Sequence, residues 1–179
     1  MQDNLIKDLK DIFLTSNSSD ELFDAFSLTI KARIRDPELY RTLLLNKALS
    51  PEEIAMYAEK ICREFPDLAF KIYSWVGEIF ASISSYGAHH EKAYEYLLKA
   101  AKADKNSCDP LIAITKLYNK ELNVPSFSKV VEAAENGIGM VELKSKLCFA
   151  LSQLYKRTGN FTKGKDFQKL GEKYQKEGK

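Results

Sequence analysis

Apolar residues recur along this chain at the three-and-four-residue spacing of helices. Leu5, Leu9, Ile12 and Phe13 fall at i, i+4, i+7 and i+8 and form one stripe. Leu22, Phe23, Phe26 and Ile30 form the next. No run alternates apolar and polar residues in the manner of a strand. The polar breaks between stripes carry helix-start chemistry. Ser18 stands three residues before Glu21, and Ser50-Pro51-Glu52-Glu53 repeats that spacing. In such a capping box each side chain satisfies an orphan amide of the first turn. Asp36-Pro37 and Asp109-Pro110 put a carboxylate acceptor ahead of a proline. The proline's missing N–H would have no partner at the first helical position anyway. Pro66 and Pro125 separate other segments, and Gly87, Gly137 and Gly139 mark stops.

These signals predict about ten helices, at residues 3–15, 20–35, 37–48, 51–64, 67–86, 90–104, 110–122, 126–136, 140–157 and 161–176. The fold class is therefore all-α. Most segments run about 10 to 18 residues, a length that is marginal alone in water. Each must be held by packing on its neighbours, and short connections make consecutive helices antiparallel.

Similar helices joined by tight turns call for a search for repeats. The clearest unit begins at residue 145 and reads SKLCFALSQLYKRTGNFTKGKDFQKLGEKYQKEG. Gly159 supplies a positive φ at a helix stop, and Asn160 caps the helix that follows. Tyr155 and Phe161 flank the turn and cover its apolar side. Gly164 and Gly171 lack side chains and let the paired helix come close. This unit resembles the tetratricopeptide repeat, a 34-residue pair of antiparallel helices. Cys148, Leu151-Ser152, Tyr155, Gly159-Asn160-Phe161, Gly164 and Gly171 occupy that family's large, Leu-Gly, Tyr, turn and small positions.

An earlier copy, residues 108 to 141, places Leu111, Ile114, Tyr118, Val131 and Ala134 in the same register. Phe127 stands there where a small residue is usual, and the turn ELNVPSF lacks the family's glycine. Residues 74 to 107 fit through Phe80-Ala81, Ala93, Leu97 and Ala100, with Ser84 in place of the tyrosine. Residues 35 to 66 match loosely through Ala58, Ile61 and Phe65-Pro66, and residues 1 to 34 match no position of the motif. The resemblance implies a helical-hairpin repeat array, a right-handed superhelix with a concave face. It implies an N-terminal helical pair at 1–34 and one continuous repeat domain at 35–179.

Composition narrows the function classes. Hydrophobic content of 45% suffices for a substantial core. With 27 basic and 25 acidic residues the chain has no general electrostatic grip on nucleic acid. The charge is uneven: residues 141 to 179 carry a net +6 and the first 140 a net −4. The basic end is either a solvated face or a surface for an acidic partner. Cys62, Cys108 and Cys148 are far apart and form no CxxC, which points to reduced thiols inside the cell. The N-terminus lacks an apolar signal core, and no run of about 18 apolar residues occurs. The expectation is a cytoplasmic protein that does not enter a membrane.

No catalytic constellation is present, so the chain is expected not to be an enzyme and to carry no cofactor. His89 and His90 are adjacent and would project about 100° apart on a helix, so they cannot readily chelate one metal. Gly137-Ile138-Gly139 follows a helical run and lacks the third glycine or Lys-Ser/Thr of a phosphate cradle. Glu52-Glu53 reads as cap chemistry.

The family lines its concave face mainly with the first helices of successive repeats. Carried over residue by residue, the register places Lys116, Asn119 and Lys120 on that face from one repeat, and Lys146, Gln153, Lys156 and Arg157 from the next. Ile112 and Phe149 stand where carboxylate-binding members put polar clamp groups. The resemblance thus implies a non-enzymatic adaptor or scaffold that binds a protein or peptide, an acidic one given these cations. The alternative is a structural self-association element, a homo-oligomer that buries Leu9, Phe13, Leu22, Phe23 and Phe26 against another subunit. The last helix has the polar outer face of a terminal cap, through Lys163, Lys169, Lys173 and Lys176.

Overall fold

In the computed structural model the described residues, 2–83 and 87–179, form ten α-helices and no strand. They are α1 (Gln2–Thr15), α2 (Ser19–Lys31), α3 (Pro37–Leu44), α4 (Pro51–Glu64), α5 (Ala69–Ser82), α6 (Ala88–Ala103), α7 (Asp109–Leu117), α8 (Phe127–Gly137), α9 (Lys144–Arg157) and α10 (Phe161–Lys176). A single 3-10 turn, Pro66–Leu68, precedes α5. The chain divides into two compact units, Met1–Ile79 and Phe80–Lys179, and the division falls inside α5. Ser84, set against the family's tyrosine, lies outside the described residues. No described helix is long and apolar enough to cross a membrane.

The first unit shows what its caps achieve. Ser50 and Glu53 complete a reciprocal capping box: the Glu53 amide donates to Ser50 Oγ at 3.2 Å and the Ser50 amide to Glu53 Oε2 at 2.7 Å. Asp36 accepts from the amides of Glu38 and Leu39. Ser18 accepts from the Glu21 amide at 3.4 Å, but the Glu21 carboxylate turns to Ser16 Oγ, so only half of that box forms. Beneath the caps, Phe13, Leu22, Leu39, Tyr40 and Leu43 are buried. Each such side chain contributes roughly 1.5–3 kcal/mol of transfer free energy. The Tyr40 hydroxyl donates to the Ile34 carbonyl at 2.7 Å, so the ring is buried with its polar end satisfied. The Asn46 amide ties α3 to α1 by donating to the carbonyls of Phe13 and Ser16.

Within this unit Arg33 pairs with Glu64 and Arg35 with Asp67. One expectation changes here. The five residues expected to meet another subunit are mostly spent within the chain. Leu9, Phe13, Leu22 and Phe26 are buried in the unit's own core, and only Phe23 is exposed. The stripe of α2 is wide enough to reach both α1 and solvent, which the pattern of apolar positions does not distinguish.

In the second unit α9 and α10 form the hairpin that the Gly159-Asn160 turn predicts. Gly159 has φ 89°, and the Asn160 side chain accepts from the Lys163 amide at 3.1 Å. A Cβ on Gly164 would lie 2.7 Å from Lys156 Cγ, and one on Gly171 2.7 Å from the Phe149 ring. Ser152, in place of the family's glycine, donates its buried hydroxyl to the Gly164 carbonyl at 2.7 Å. Tyr155 stacks on Phe167 at 5.5 Å, meets Phe127 edge-on and donates to Glu135 Oε1 at 2.7 Å. One ring thereby joins α8, α9 and α10. Phe161, expected to cover the turn, is 64% exposed, and Phe167 takes that role.

Other starts and stops also shift. α7 ends at Leu117 rather than 122, and α9 begins at Lys144 rather than 140. Gly87, with φ 79°, precedes α6 as its cap residue. Asp109 does not cap α7; Cys108 occupies that position without a capping side-chain bond, and Ser107 Oγ accepts from the Asp109 amide at 3.3 Å. Gly137 ends α8, and its missing Cβ matters for contact, because Leu111 fills the space where it would be. Cys62, Cys108 and Cys148 are all buried, and no disulfide joins them.

Candidate peptide-binding site

The outward stripe of α9 is Lys146, Phe149, Ala150, Gln153 and Arg157, at i, i+3, i+4, i+7 and i+11. α10 packs on α9 through Gly164, beside Ser152 and Lys156, and through Gly171, beside the Phe149 ring at the edge of that stripe. Across from the stripe lies α7, which contributes Ile112, Thr115 and Lys116. Together with Leu154 these residues line a cleft of about 340 Å³. Its floor is apolar (Ile112, Phe149, Ala150), and its rim carries Lys116, Lys146 and Arg157 with the Gln153 amide. No acidic side chain lines it. Lys116 and Lys146 form no ion pair among the described residues.

Arg157 has a second task. Its guanidinium donates to the carbonyls of Thr115 at 2.9 Å and Tyr118 at 3.3 Å. These carbonyls sit at the C-terminal end of α7, where helical groups lack partners and a cation is favoured. Arg157 thus fastens the end of α9 to the end of α7 and sets the cleft's width. A neighbouring hollow of about 240 Å³ is lined by Tyr118, Asn119, Lys120, Arg157 and Thr158. Asn119 lies beyond the helix in a turn, and its Oδ1 accepts from the amides of Glu121 and Leu122. Its carbonyl is therefore occupied, and only its NH₂ faces a ligand.

Of the seven residues placed by register, Lys116, Lys146, Gln153 and Arg157 meet at the larger cleft, and Asn119 and Lys120 join Arg157 at the smaller hollow. Lys156 lies elsewhere: its stem covers Gly164 and its amine reaches Gln168 Oε1 at 3.4 Å. Register placed it beside Arg157, but one residue further along a helix turns the side chain by about 100°. Ile112 and Phe149, placed by register at the clamp positions, do line the cleft, whereas Thr115, Ala150 and Leu154 were missed, because a search for clamp chemistry passes over an apolar floor. The spacing 146, 149, 150, 153, 157 was the available signal.

The remaining candidates stand apart. His89 and His90 occupy the first turn of α6, and the His89 ring lies over Phe80 at 6.1 Å. Among the described residues no group of three His, Cys, Asp or Glu converges. Burial pushes the Cys148 thiol up to about 11, and raises that of Cys108, whose neighbour Asp109 adds to the effect. These thiols are inert at neutral pH.

No protein-family model matches this chain. No curated protein matches it either. Among solved structures, the crystal structure of MamA is similar over 88% of each chain, with a TM-score of 0.53 and 14% identity. A second structure, MamA MSR-1 C2, aligns with 99% of this chain and 96% of its own at a TM-score of 0.49 and 15% identity. MamA is a tetratricopeptide-like protein, and the first likeness is one of fold: a helical-repeat architecture.

Proposed function

We propose that the chain is a non-enzymatic adaptor that takes an acidic segment of another protein across the α7/α9 cleft. The observation that carries this reading is the pairing of an apolar floor with a rim of Lys116, Lys146 and Arg157 that no lining carboxylate neutralises. Such a rim suits side-chain carboxylates or a chain terminus, and the floor suits one bulky apolar side chain between them. The helical-repeat fold is consistent with a protein-interaction scaffold. Helices held by their neighbours lose little freedom on binding, so affinity does not depend on a large buried area. Attraction to the acidic partner weakens as salt screens it.

The test is fluorescence anisotropy with a labelled peptide of alternating Glu and Leu, and a Lys-Leu peptide as the comparison. The Glu-Leu peptide is expected to bind and to lose about tenfold in affinity in Lys116→Glu/Lys146→Glu, a change near 1.4 kcal/mol. Lys156→Glu, off the cleft, is the control and is expected to bind as the wild type does. Equal binding of both peptides, or an unaffected double variant, removes the cleft from the proposal.

A further inference from the structure

The first unit has an apolar groove on a different set of helices. α2 and α4 lie side by side and run in the same direction. The rings of Phe26 and Tyr57 are 4.5 Å apart midway, and Arg33 bonds Glu64 at their ends. Between them is a groove of about 510 Å³ with Phe23, Phe26, Ile30 and Met56 on its walls. Phe23 is 50% exposed and Met56 47%. An apolar patch of this kind with a charged rim marks an interaction surface. This groove belongs to the first unit, and the α7/α9 cleft belongs to the second.

The charges along the groove decide its occupant. Helical spacing carries the wall of α2 back to Asp20 and Asp24, and the wall of α4 back to Glu52, one turn before Met56. The far end carries Lys31, Lys60 and Arg63, three cations against one acid, Glu59, whose carboxylate accepts from the Tyr73 hydroxyl at 3.3 Å. The face therefore runs from acidic through apolar to basic over about 17 Å, the length of eleven helical residues. Lys60 is paired with Glu64, but Asp20, Asp24, Lys31 and Arg63 form no ion pair among the described residues. Helix dipoles favour acids at starts and bases at ends, yet they do not explain two large apolar side chains left in water between those ends.

We infer that this face docks against the same face of a second copy of the chain. A two-fold axis lying in the contact and crossing the helices at right angles sets α2 antiparallel to its copy. Asp20 and Asp24 then meet the partner copy's basic end, while the apolar centre meets itself. Isologous contacts of this kind are the commonest in homo-oligomers. Phe23 and Met56 bury their exposed surface there, and the four formerly free charges find partners. The apolar residues that sequence pattern offered for self-association, Leu9, Phe13, Leu22 and Phe26, stay in the core.

Sedimentation equilibrium of the full chain across a wide concentration range tests this. The wild-type mass is expected to rise from 20.4 kDa toward twice that value. Met56→Glu is expected to hold it at 20.4 kDa, with far-UV circular dichroism confirming the fold, and Phe23→Ser gives the same readout by a second route. Lys31→Glu is expected to weaken the dimer several-fold, and Asp24→Lys added to it to restore association. A wild type that stays monomeric at the highest concentration overturns the inference. So does undiminished association of Met56→Glu, or a double exchange that fails to restore. Loss of association in Lys116→Glu/Lys146→Glu instead would move the contact to the other cleft and also overturn it.

Discussion

The ring of Phe149 lies where the side chain of residue 171 would begin: a Cβ on Gly171 would stand 2.7 Å from it. The same ring forms part of the floor of the α7/α9 cleft. The closeness of α9 and α10 therefore bears on the depth of the candidate site, because one ring serves both. Gly171→Val is expected to push Phe149 outward and destabilise the chain by about 1–3 kcal/mol, the usual cost of overpacking. Urea unfolding measures it. An unchanged midpoint would mean the two helices separate freely, and the cleft would not depend on them.

Arg157→Lys keeps the charge at the cleft but loses the fork that reaches the Thr115 and Tyr118 carbonyls. The arginine is exposed, so the expected loss is modest, about 1 kcal/mol. Thermal unfolding checks this, and hydrogen exchange is expected to quicken in the last turn of α7.

Ser50→Ala removes the acceptor for the Glu53 amide and is expected to cost about 0.5–2 kcal/mol. The Ser50 backbone amide, then its hydroxyl, hold the Glu53 carboxyl below the ordinary value. A carboxylate lowered in the folded state stabilises above the unfolded pKa of about 4.3, and that contribution disappears as pH falls through the folded value. The variant's deficit is therefore expected to shrink in acid, read as converging unfolding midpoints below about pH 4.

At the alkaline end, burial raises the phenols of Tyr40, Tyr73 and Tyr155, and for Tyr155 the bond to Glu135 adds to it. A phenol raised in the folded state contributes stability that is complete below the unfolded value of about 10 and is lost as pH climbs toward the folded one. The urea midpoint is expected to fall between about pH 9 and 11. In Tyr155→Phe that fall is expected to be smaller.

The three thiols give a direct probe of global opening. Cys62, Cys108 and Cys148 are buried, and Cys148 has a thiol raised to about 11. In a thiol-exchange assay with a disulfide reagent the native chain is expected to react slowly, and all three cysteines to react in denaturant. Rapid native labelling of Cys148 would mean that α9 is not held as the structure has it.

Much of this architecture follows from short stretches read alone. Asp36-Pro37, Ser50-Pro51 and Gly159-Asn160 begin helices where they stand, because caps and positive φ are requirements of the backbone within a few residues. The last repeat was equally legible, since glycine at 164 and 171 states that another helix comes close there. The first helices of the chain carry no motif residue, and nothing local told which side of α2 is covered.

What the sequence determined by itself was the inventory: ten helices, their principal starts, and one hairpin with its cation-bearing stripe. The tertiary structure decided how each stripe was used. It turned Lys156 toward α10, bound Arg157 to the carbonyls ending α7, buried Phe26, and left Phe23 and Met56 in water. The physical reason is range. A cap or turn is satisfied by atoms a few residues away, whereas the exposure of a side chain depends on neighbours from distant segments, which periodicity along a single helix does not encode.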